Sequence, residues 1–412
     1  MQITEPELLT LPSGIRLVHV HRRGAGAAIF GIAVRAGSAD ETDGRQGLAH
    51  LVEHTIFKGT GRRSSWHIIN RMEAVGGELN AFTTKEETVV YTVFPAGNDA
   101  RAIELVADLT LNSRFPEREL DKEREVVLDE INSYYDQPAE ALYDDFEDRA
   151  FAGSSLGHNI LGTPESVRRL GSADCRDFLH RYYRTDNVVL FYSGSRSAAV
   201  VAGMAEKYFA DMQGRGASAP RSDGSVPAVA RFEIFEPKPV HQAHVVLGAR
   251  TEGLYSPERY AVALLTNLTG GIGMNSLLNV ELRERRGLVY TVEASTAQFS
   301  GCGLMNVYFG CDADDMERCI SLSRRVFERI AAGELTARRL DAAKKQFLGQ
   351  QAVAAENVEN RIMALARAAL FRGRITPMEQ ELEAFRAVSG NDIAELAARM
   401  ANPSILAFVP EH

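Results

Sequence analysis

The sequence predicts an α+β protein of two tandem related domains, each a mostly antiparallel sheet packed with helices. Three observations lead to this prediction. The chain has 412 residues, and single hydrophobic cores rarely grow beyond about 250–300 residues. Runs that alternate apolar and polar residues, as strands do, are interleaved with runs that have the apolar spacing of helices. The second half also repeats the order of elements found in the first half.

The first half begins with strands and continues with helices around a second β region. Residues 7–36 alternate apolar runs with Gly-rich breaks, which predicts strands joined by a hairpin. Residues 76–94 return to β-branched and aromatic alternation and predict further strands. Apolar spacing typical of helices occurs at 46–58, 64–75, 98–113 and 117–135.

A linker and a second set of elements follow. Residues 213–230 are rich in Gly, Ser, Pro and Ala without periodicity, as expected for a linker. The predicted N-terminal domain is therefore 1–212, and the related C-terminal domain is 231–412. The second domain is expected to contain a strand at 241–249, a helix from about 256, strands across 289–310 and helices from 313 onward.

The repeat is clearest in one helix of each half. The segment RELDKEREVVLDE of the first half aligns with RRLDAAKKQFLGQ of the second when their Leu-Asp pairs are superposed. In this register Glu123 corresponds to Ala343 and Glu130 corresponds to Gln350. Only the first half therefore keeps the carboxylates, so the sequence predicts that one copy carries chemistry and the other does not.

Composition restricts the class of protein. Hydrophobic residues make up 45% and charged residues 25% of the chain, which is typical of a globular protein. The net charge of -9 argues against nucleic acid as a partner. The four cysteines form no CxxC pair, so we expect reduced thiols. The N-terminus has no signal-peptide pattern, and no run of about 18 apolar residues occurs, so we expect a cytoplasmic protein without a membrane partner.

The strongest chemical signal is an H-x-x-E-H motif formed by His50, Glu53 and His54. Helical residues four apart lie on one face, about 5–6 Å apart at Cβ, so two imidazoles can bind one ion. Glu53 would lie close enough to take a proton from an attacking water. The plainer alternative is two surface histidines beside a solvated glutamate.

The predicted helix at 117–135 strengthens this interpretation. Its apolar stripe consists of Leu120, Val127, Ile131 and Tyr134. Glu123 and Glu130 fall within this stripe, where a carboxylate is costly unless it is paired or bound to a metal. The simplest arrangement places Glu130 with His50 and His54 around a cation and leaves Glu123 to orient a histidine. Buried salt bridges, for example to Arg124, are the alternative.

With these motifs the sequence resembles the pitrilysin (M16) family of inverted-motif zinc peptidases, and particularly its bacterial branch similar to mitochondrial processing peptidase. The resemblance rests on HLVEHTIFKGT at 50–60, EAVGGELNAFTTKEET at 73–88 and the helix that carries the two glutamates. It implies a fold like those of LuxS and mitochondrial processing peptidase, and one Zn²⁺ per chain. It also implies that His50, His54 and Glu130 are the ligands and Glu53 the general base.

The resemblance extends into the second half. LRERRGLVYTV at 282–292 is similar to the family segment whose Arg and Tyr help to hold the substrate carbonyl and the tetrahedral intermediate, which maps these roles onto Arg283 and Tyr290. The alternative is a solvated arginine and a core tyrosine. The family pattern has a Ser-Arg pair shortly after a glycine-rich loop, where this chain has Asn275-Ser276-Leu277. The remaining histidines considered are expected to serve packing or hydrogen bonding: His19, His21, His158, His180, His241 and His244.

The substrate and assembly follow as further expectations. The strand near Gly77–Thr84 could accept an extended peptide by main-chain pairing, with contacts from Asn80, Ala81, Phe82 and Thr83. Members of the resembled family enclose substrates between two two-domain halves, which implies a homodimer, or a heterodimer with a related chain. A non-catalytic subunit that shapes a chamber for a peptidase is the competing class. A zinc hydrolase acting on small amides or esters is a third.

Overall fold

The computed structural model describes residues 5–134, 136–212, 214 and 226–411. Two compact units emerge from it: Met1–Asn132, His158–Ser222 and Ala354–Thr376 form the first, and Ser133–Gly157, Asp223–Val353 and Pro377–His412 form the second. Each unit therefore takes a segment from the other half of the sequence. The boundary predicted at 213–230 stays a prediction, since residues 213 and 215–225 lie outside the described residues.

The described residues form the following strands and helices in chain order. The strands are β1 (Glu7–Thr10), β2 (Arg16–His21), β3 (Ala27–Val34), β4 (Glu78–Thr83), β5 (Thr88–Pro95), β6 (Val188–Gly194), β7 (Glu233–Lys238), β8 (Ala243–Thr251), β9 (Val289–Gln298), β10 (Gly303–Cys311) and β11 (Ser404–Pro410). The α-helices are α1 (Leu48–Thr55), α2 (Ser65–Glu73), α3 (Asp99–Asn112), α4 (Glu117–Tyr134), α5 (Pro138–Ala150), α6 (Pro164–Arg169), α7 (Ser172–Tyr182), α8 (Ala198–Phe209), α9 (Glu258–Gly270), α10 (Met316–Ala331), α11 (Ala337–Ala354), α12 (Val358–Arg372), α13 (Met378–Ala387) and α14 (Gly390–Ala401).

The sheet of the first unit has the order β1-β2-β6-β3-β5-β4. All pairs are antiparallel except β2 with β6, which run parallel. The predicted hairpin at the start of the chain is present between β1 and β2, whereas β6 separates β2 from β3. The central strands β3 and β6 are buried because α12 packs on both of them and α3 packs on β3.

The sheet of the second unit has the order β7-β11-β8-β10-β9. The strand order is the same as in the first sheet if β1 is left out, with β7 and β11 in the places of β2 and β6. The pair β7 and β11 is parallel, like β2 and β6, and the other pairs are antiparallel. The predicted α+β fold of two related domains, each with a mostly antiparallel sheet, is therefore confirmed. Helix α5 packs on β8 and β11 of this sheet.

The prediction of helices from residue 313 onward was wrong at the C-terminus, where the chain forms β11. The residues ILAFV of this strand are an unbroken apolar run without alternation, because β11 lies inside the sheet and all but its ends are buried. None of the described helices is long and apolar enough to cross a membrane.

Candidate metal centre

Helix α1 carries the H-x-x-E-H motif, and its start is fixed by Gly47. This residue has φ +90°, and a Cβ placed on it would lie 2.5 Å from the carbonyl oxygen of Leu161, so glycine is required. Glu41 accepts hydrogen bonds from the backbone N–H of Gly47 at 3.0 Å and of Ala49 at 2.7 Å. These are N–H groups that a helix leaves without internal partners. These two hydrogen bonds fix the start of α1 directly before His50.

The two histidines of α1 and one glutamate of α4 converge on a single point. The Nε2 atom of His50 lies 3.8 Å, and that of His54 3.5 Å, from the same carboxylate oxygen, Oε2 of Glu130. One ligand atom from each residue lies within 4.8 Å of the others. The imidazole rings meet edge to face, with centroids 4.5 Å apart. Helices α1 and α4 thus bring together the three residues predicted from the sequence.

The electrostatics of the three groups differ. Burial lowers the pKa of His50 to about 4, helped by the neighbouring His54, so its imidazole is neutral at physiological pH. Burial also opposes the charged form of His54, but the hydrogen bond to Glu130 and the nearby carboxylates raise its pKa overall. The hydrogen bond with His54 in turn lowers the pKa of Glu130. His50 is therefore ready to donate a lone pair, whereas the neighbouring carboxylates favour the charged form of His54.

Glu53 lies on the same helix but outside this cluster. Burial raises the pKa of its carboxyl group, against the opposing effect of the nearby Thr83. Thr83 is the last residue of β4, which lies at the edge of the first sheet in the described part of the chain. The predicted base thus lies beside the end of the predicted peptide-binding strand.

Glu123 contacts the far side of His54. Its Oε2 lies 3.4 Å from Nδ1 of His54, and its Oε1 lies 2.8 Å from Nζ of Lys58. Arg124, the alternative salt-bridge partner, instead pairs with Asp121 at 2.9 Å. Lys58 was not predicted from the sequence, although its position four residues after His54 could have indicated it. Glu123 is therefore placed to orient His54, and Lys58 is placed to fix the position of the Glu123 side chain.

These residues fit a zinc ion. Two imidazoles and a carboxylate match the donors of catalytic zinc sites, which keep a further position open for water or substrate. The exposed fraction of the Glu130 side chain is 38%, so the cluster is open on one side. The carboxylate of Glu123 lies beside Nδ1 of His54, the ring nitrogen that faces away from Glu130. Carboxylates in this position commonly orient zinc-binding histidines. Whether His50, His54 and Glu130 are ligands stays a prediction.

The predicted substrate residues Asn80, Ala81, Phe82 and Thr83 all lie on β4. This strand pairs with β5 on one side, from Glu78 opposite Val93 to Thr83 opposite Thr88. Within the described residues its other side has no neighbouring strand. Its main-chain N–H and C=O groups on that side can therefore pair with an added strand.

Arg283 and Tyr290 lie together in the second unit. Arg283 belongs to a π-helical segment at Asn279–Glu284, and Tyr290 lies on β9, one of the two edge strands that the described residues give the second sheet. The guanidinium carbon of Arg283 lies 5.6 Å from the centre of the Tyr290 ring, and Tyr290 is 81% exposed. The alternative of a core tyrosine is therefore excluded. Such π-helical segments are rare in proteins overall, but those that occur are often found at functional sites.

Comparison with known proteins agrees with this geometry. Residues 16–164 match the family model described as insulinase (peptidase family M16), and residues 169–347 match the model described as peptidase M16 inactive domain. A Streptomyces coelicolor protein named an uncharacterized zinc protease is 32% identical over 94% of this chain and 85% of its own. A Bacillus subtilis protein with the same description is 27% identical over 95% of this chain and 94% of its own.

Solved structures share the fold. A protease from Helicobacter pylori has a TM-score of 0.90 and 21% identity, covering 98% of this chain and 100% of that one. A Pseudomonas fluorescens structure described as a peptidase M16 inactive domain has a TM-score of 0.88 and 18% identity, covering 99% of this chain and 98% of that one. The family models and the 32% identical relative confirm the family predicted from the sequence motifs: the chain belongs to peptidase family M16.

Proposed function

We propose that the chain is a zinc-dependent endopeptidase that hydrolyses peptides or unfolded segments. The observation that supports this most strongly is the convergence of His50, His54 and Glu130 beside the buried Glu53. The relatives named zinc proteases share similarity along nearly the whole chain, including the region that forms this centre.

In the proposed reaction, His50, His54 and Glu130 hold one zinc ion. When bound, Zn²⁺ would supply Lewis-acid polarisation of the scissile amide carbonyl. Glu53 takes the proton from the attacking water and later delivers it to the leaving amine. Burial raises the pKa of Glu53, so the carboxylate is a stronger base than a solvated glutamate.

The proposed substrate is an extended peptide that pairs with β4. Main-chain hydrogen bonding along Asn80, Ala81, Phe82 and Thr83 would tolerate many side-chain sequences, because the backbone donors and acceptors are the same in each. The contact between Thr83 and Glu53 would place the scissile bond near the end of this strand.

We further propose that two chains assemble, as a homodimer or with a related chain, and enclose the peptide in a chamber. In this assembly Arg283 and Tyr290 would stabilise the oxyanion that develops on the scissile carbonyl. The exposure of Tyr290 and the cation–π contact with Arg283 support this role, because the pair is accessible to a ligand. Sedimentation analysis of the purified chain would test the assembly, and a monomer at assay concentrations would contradict it.

The enzymatic proposal is tested by mass spectrometry of a mixed pool of unfolded peptides incubated with the zinc-loaded protein. The parent should cleave them, and Glu53→Gln should lower the rate by about 10²–10⁴, the contribution of a general base. Glu73→Gln, an exposed glutamate of α2, is the matched control and should retain the parent rate. Metal content measured in all three proteins should be equal, because Glu53 lies outside the cluster of donors.

The alternatives give different results. The chain is a non-catalytic partner if two results are obtained together. The zinc-loaded parent alone leaves all peptides intact, and addition of a related chain produces cleavage that persists when this chain carries Glu53→Gln. Cleavage of small acyl esters or amides with none of peptides would identify a hydrolase of another class.

A further inference from the structure

We propose that Glu41 is a positioning residue for the metal centre, which holds the start of α1 in register with the end of the edge strand β4. The inference rests on the proposed function, because it concerns the zinc ligands of α1. Glu41 would touch neither zinc nor substrate. It would act through the main chain next to His50.

Glu41 contacts the start of α1 through its carboxylate group. The side chain of Glu41 is only 1% exposed, and its two oxygens accept from different N–H groups, Oε1 from Ala49 and Oε2 from Gly47. A carboxylate with both oxygens bound fixes the rotation of the helix start as well as its position. Negative charge at this end is also favoured by the helix dipole. Ala49 directly precedes His50, so displacement of this turn moves a zinc donor.

Glu41 also contacts His158, which connects it to the end of β4. Nε2 of His158 donates to Oε2 of Glu41 at 3.2 Å, and the ammonium group of the buried Lys85 donates to the main-chain carbonyl of His158. Lys85 follows β4 by two residues. Its own carbonyl accepts from the N–H of Ala39 at 2.8 Å, and that of Thr84 accepts from Ser38 at 3.2 Å.

These contacts form a closed chain of hydrogen bonds. The chain leads from α1 through Glu41 and His158 to Lys85 at the end of β4, and returns through Ala39 to Glu41 along the backbone. A short Ser or Asp cap would satisfy the helix N–H groups without this connection. The buried carboxylate instead joins the element that carries the zinc donors to the strand that would bind the peptide.

The test separates positioning from simple stabilisation by measuring zinc binding. Glu41→Gln keeps the size of the side chain but leaves a single acceptor oxygen. We expect a zinc dissociation constant about 10–100-fold higher by chelator competition, as found for outer partners of metal ligands. The increase in Tm that zinc produces in the parent should shrink correspondingly. Asp43→Asn, an exposed carboxylate in the same loop, is the control and should bind zinc like the parent.

A purely structural role would lower Tm equally in the metal-free and zinc-saturated forms of Glu41→Gln and leave zinc affinity unchanged. That result would overturn the inference. A parent protein that binds no zinc would instead contradict the proposed function, so the two failures are distinguishable.

A second pair of variants keeps the inference testable if Glu41→Gln does not fold. His158→Gln retains a donor toward Glu41, whereas His158→Leu removes it. Zinc should bind less tightly to His158→Leu than to His158→Gln. Equal affinities would show that the connection to Glu41 does not position the centre.

Discussion

Apart from β1, the two units of the molecule share one strand order, but they differ in the residues that their corresponding helices carry. In the first unit α4 presents Glu123 and Glu130 to the histidines of α1. In the second unit the corresponding helix, α11, has Ala343 and Gln350 at these positions, and it buries Leu340, Ala343 and Phe347 in an apolar core. Helix α9, which follows β8 as α1 follows β3, contains no histidine.

The comparison shows that the fold does not depend on the charged cluster. Helix α11 packs in the second unit without a carboxylate at either position, while Glu123 and Glu130 of α4 require His54 and Lys58 to offset the cost of their partial burial. The first unit therefore keeps an arrangement that is expensive for stability, which is typical of functional sites. Substitutions that make one unit resemble the other test this interpretation.

The largest effect on zinc binding is expected from Glu130→Gln, which introduces the glutamine that the second unit has at the corresponding position, Gln350. Loss of a proposed ligand should weaken zinc binding by more than the factor of about 100 that outer partners reach. Peptide cleavage should fall in parallel and should not return at moderate zinc excess. Full zinc retention, measured by metal analysis after dialysis, would contradict the assignment of Glu130 as a ligand.

Glu123→Ala should have an intermediate effect, since Ala343 is the counterpart. His54 would lose the carboxylate on Nδ1, and Lys58 would lose its partner. We expect zinc affinity to fall about 10–100-fold, with activity recovered at saturating zinc. Chelator competition and a zinc titration of activity measure the two quantities, and unchanged zinc affinity would remove Glu123 from the centre.

Lys58→Met should have a smaller effect, because the ammonium group acts only through Glu123. We expect a decrease in zinc affinity of about 10-fold or less, at the lower end for outer partners. Lys122→Met, which breaks an exposed pair with Glu119 on the same helix as Glu123, is the control and should change zinc affinity little. Equal effects of both variants would point to net charge rather than the specific contact.

Local sequence patterns predicted part of this arrangement. The spacing of His50 and His54 and the stripe containing Glu130 depend on helical periodicity, which the sequence displays directly. The contact between Glu41 and His158 could not be predicted, because 117 residues separate them and neither residue has a local signature. Similarly, the apolar face of α12 indicates that the helix is buried but not that it covers β2, β3 and β6 of the first unit.

The smallest effect is expected from Gln350→Glu, which returns one carboxylate to the second unit. The side chain is partly exposed, so stability should change by no more than about 0.5 kcal/mol. No second zinc should bind, because α9 supplies no imidazole to complete a set of donors. Metal analysis of the variant should give the same zinc content per chain as the parent. An additional zinc ion would show that the second unit retains metal donors outside α9 and α11. The missing carboxylate at position 350 would then be the difference that prevents zinc binding in this unit.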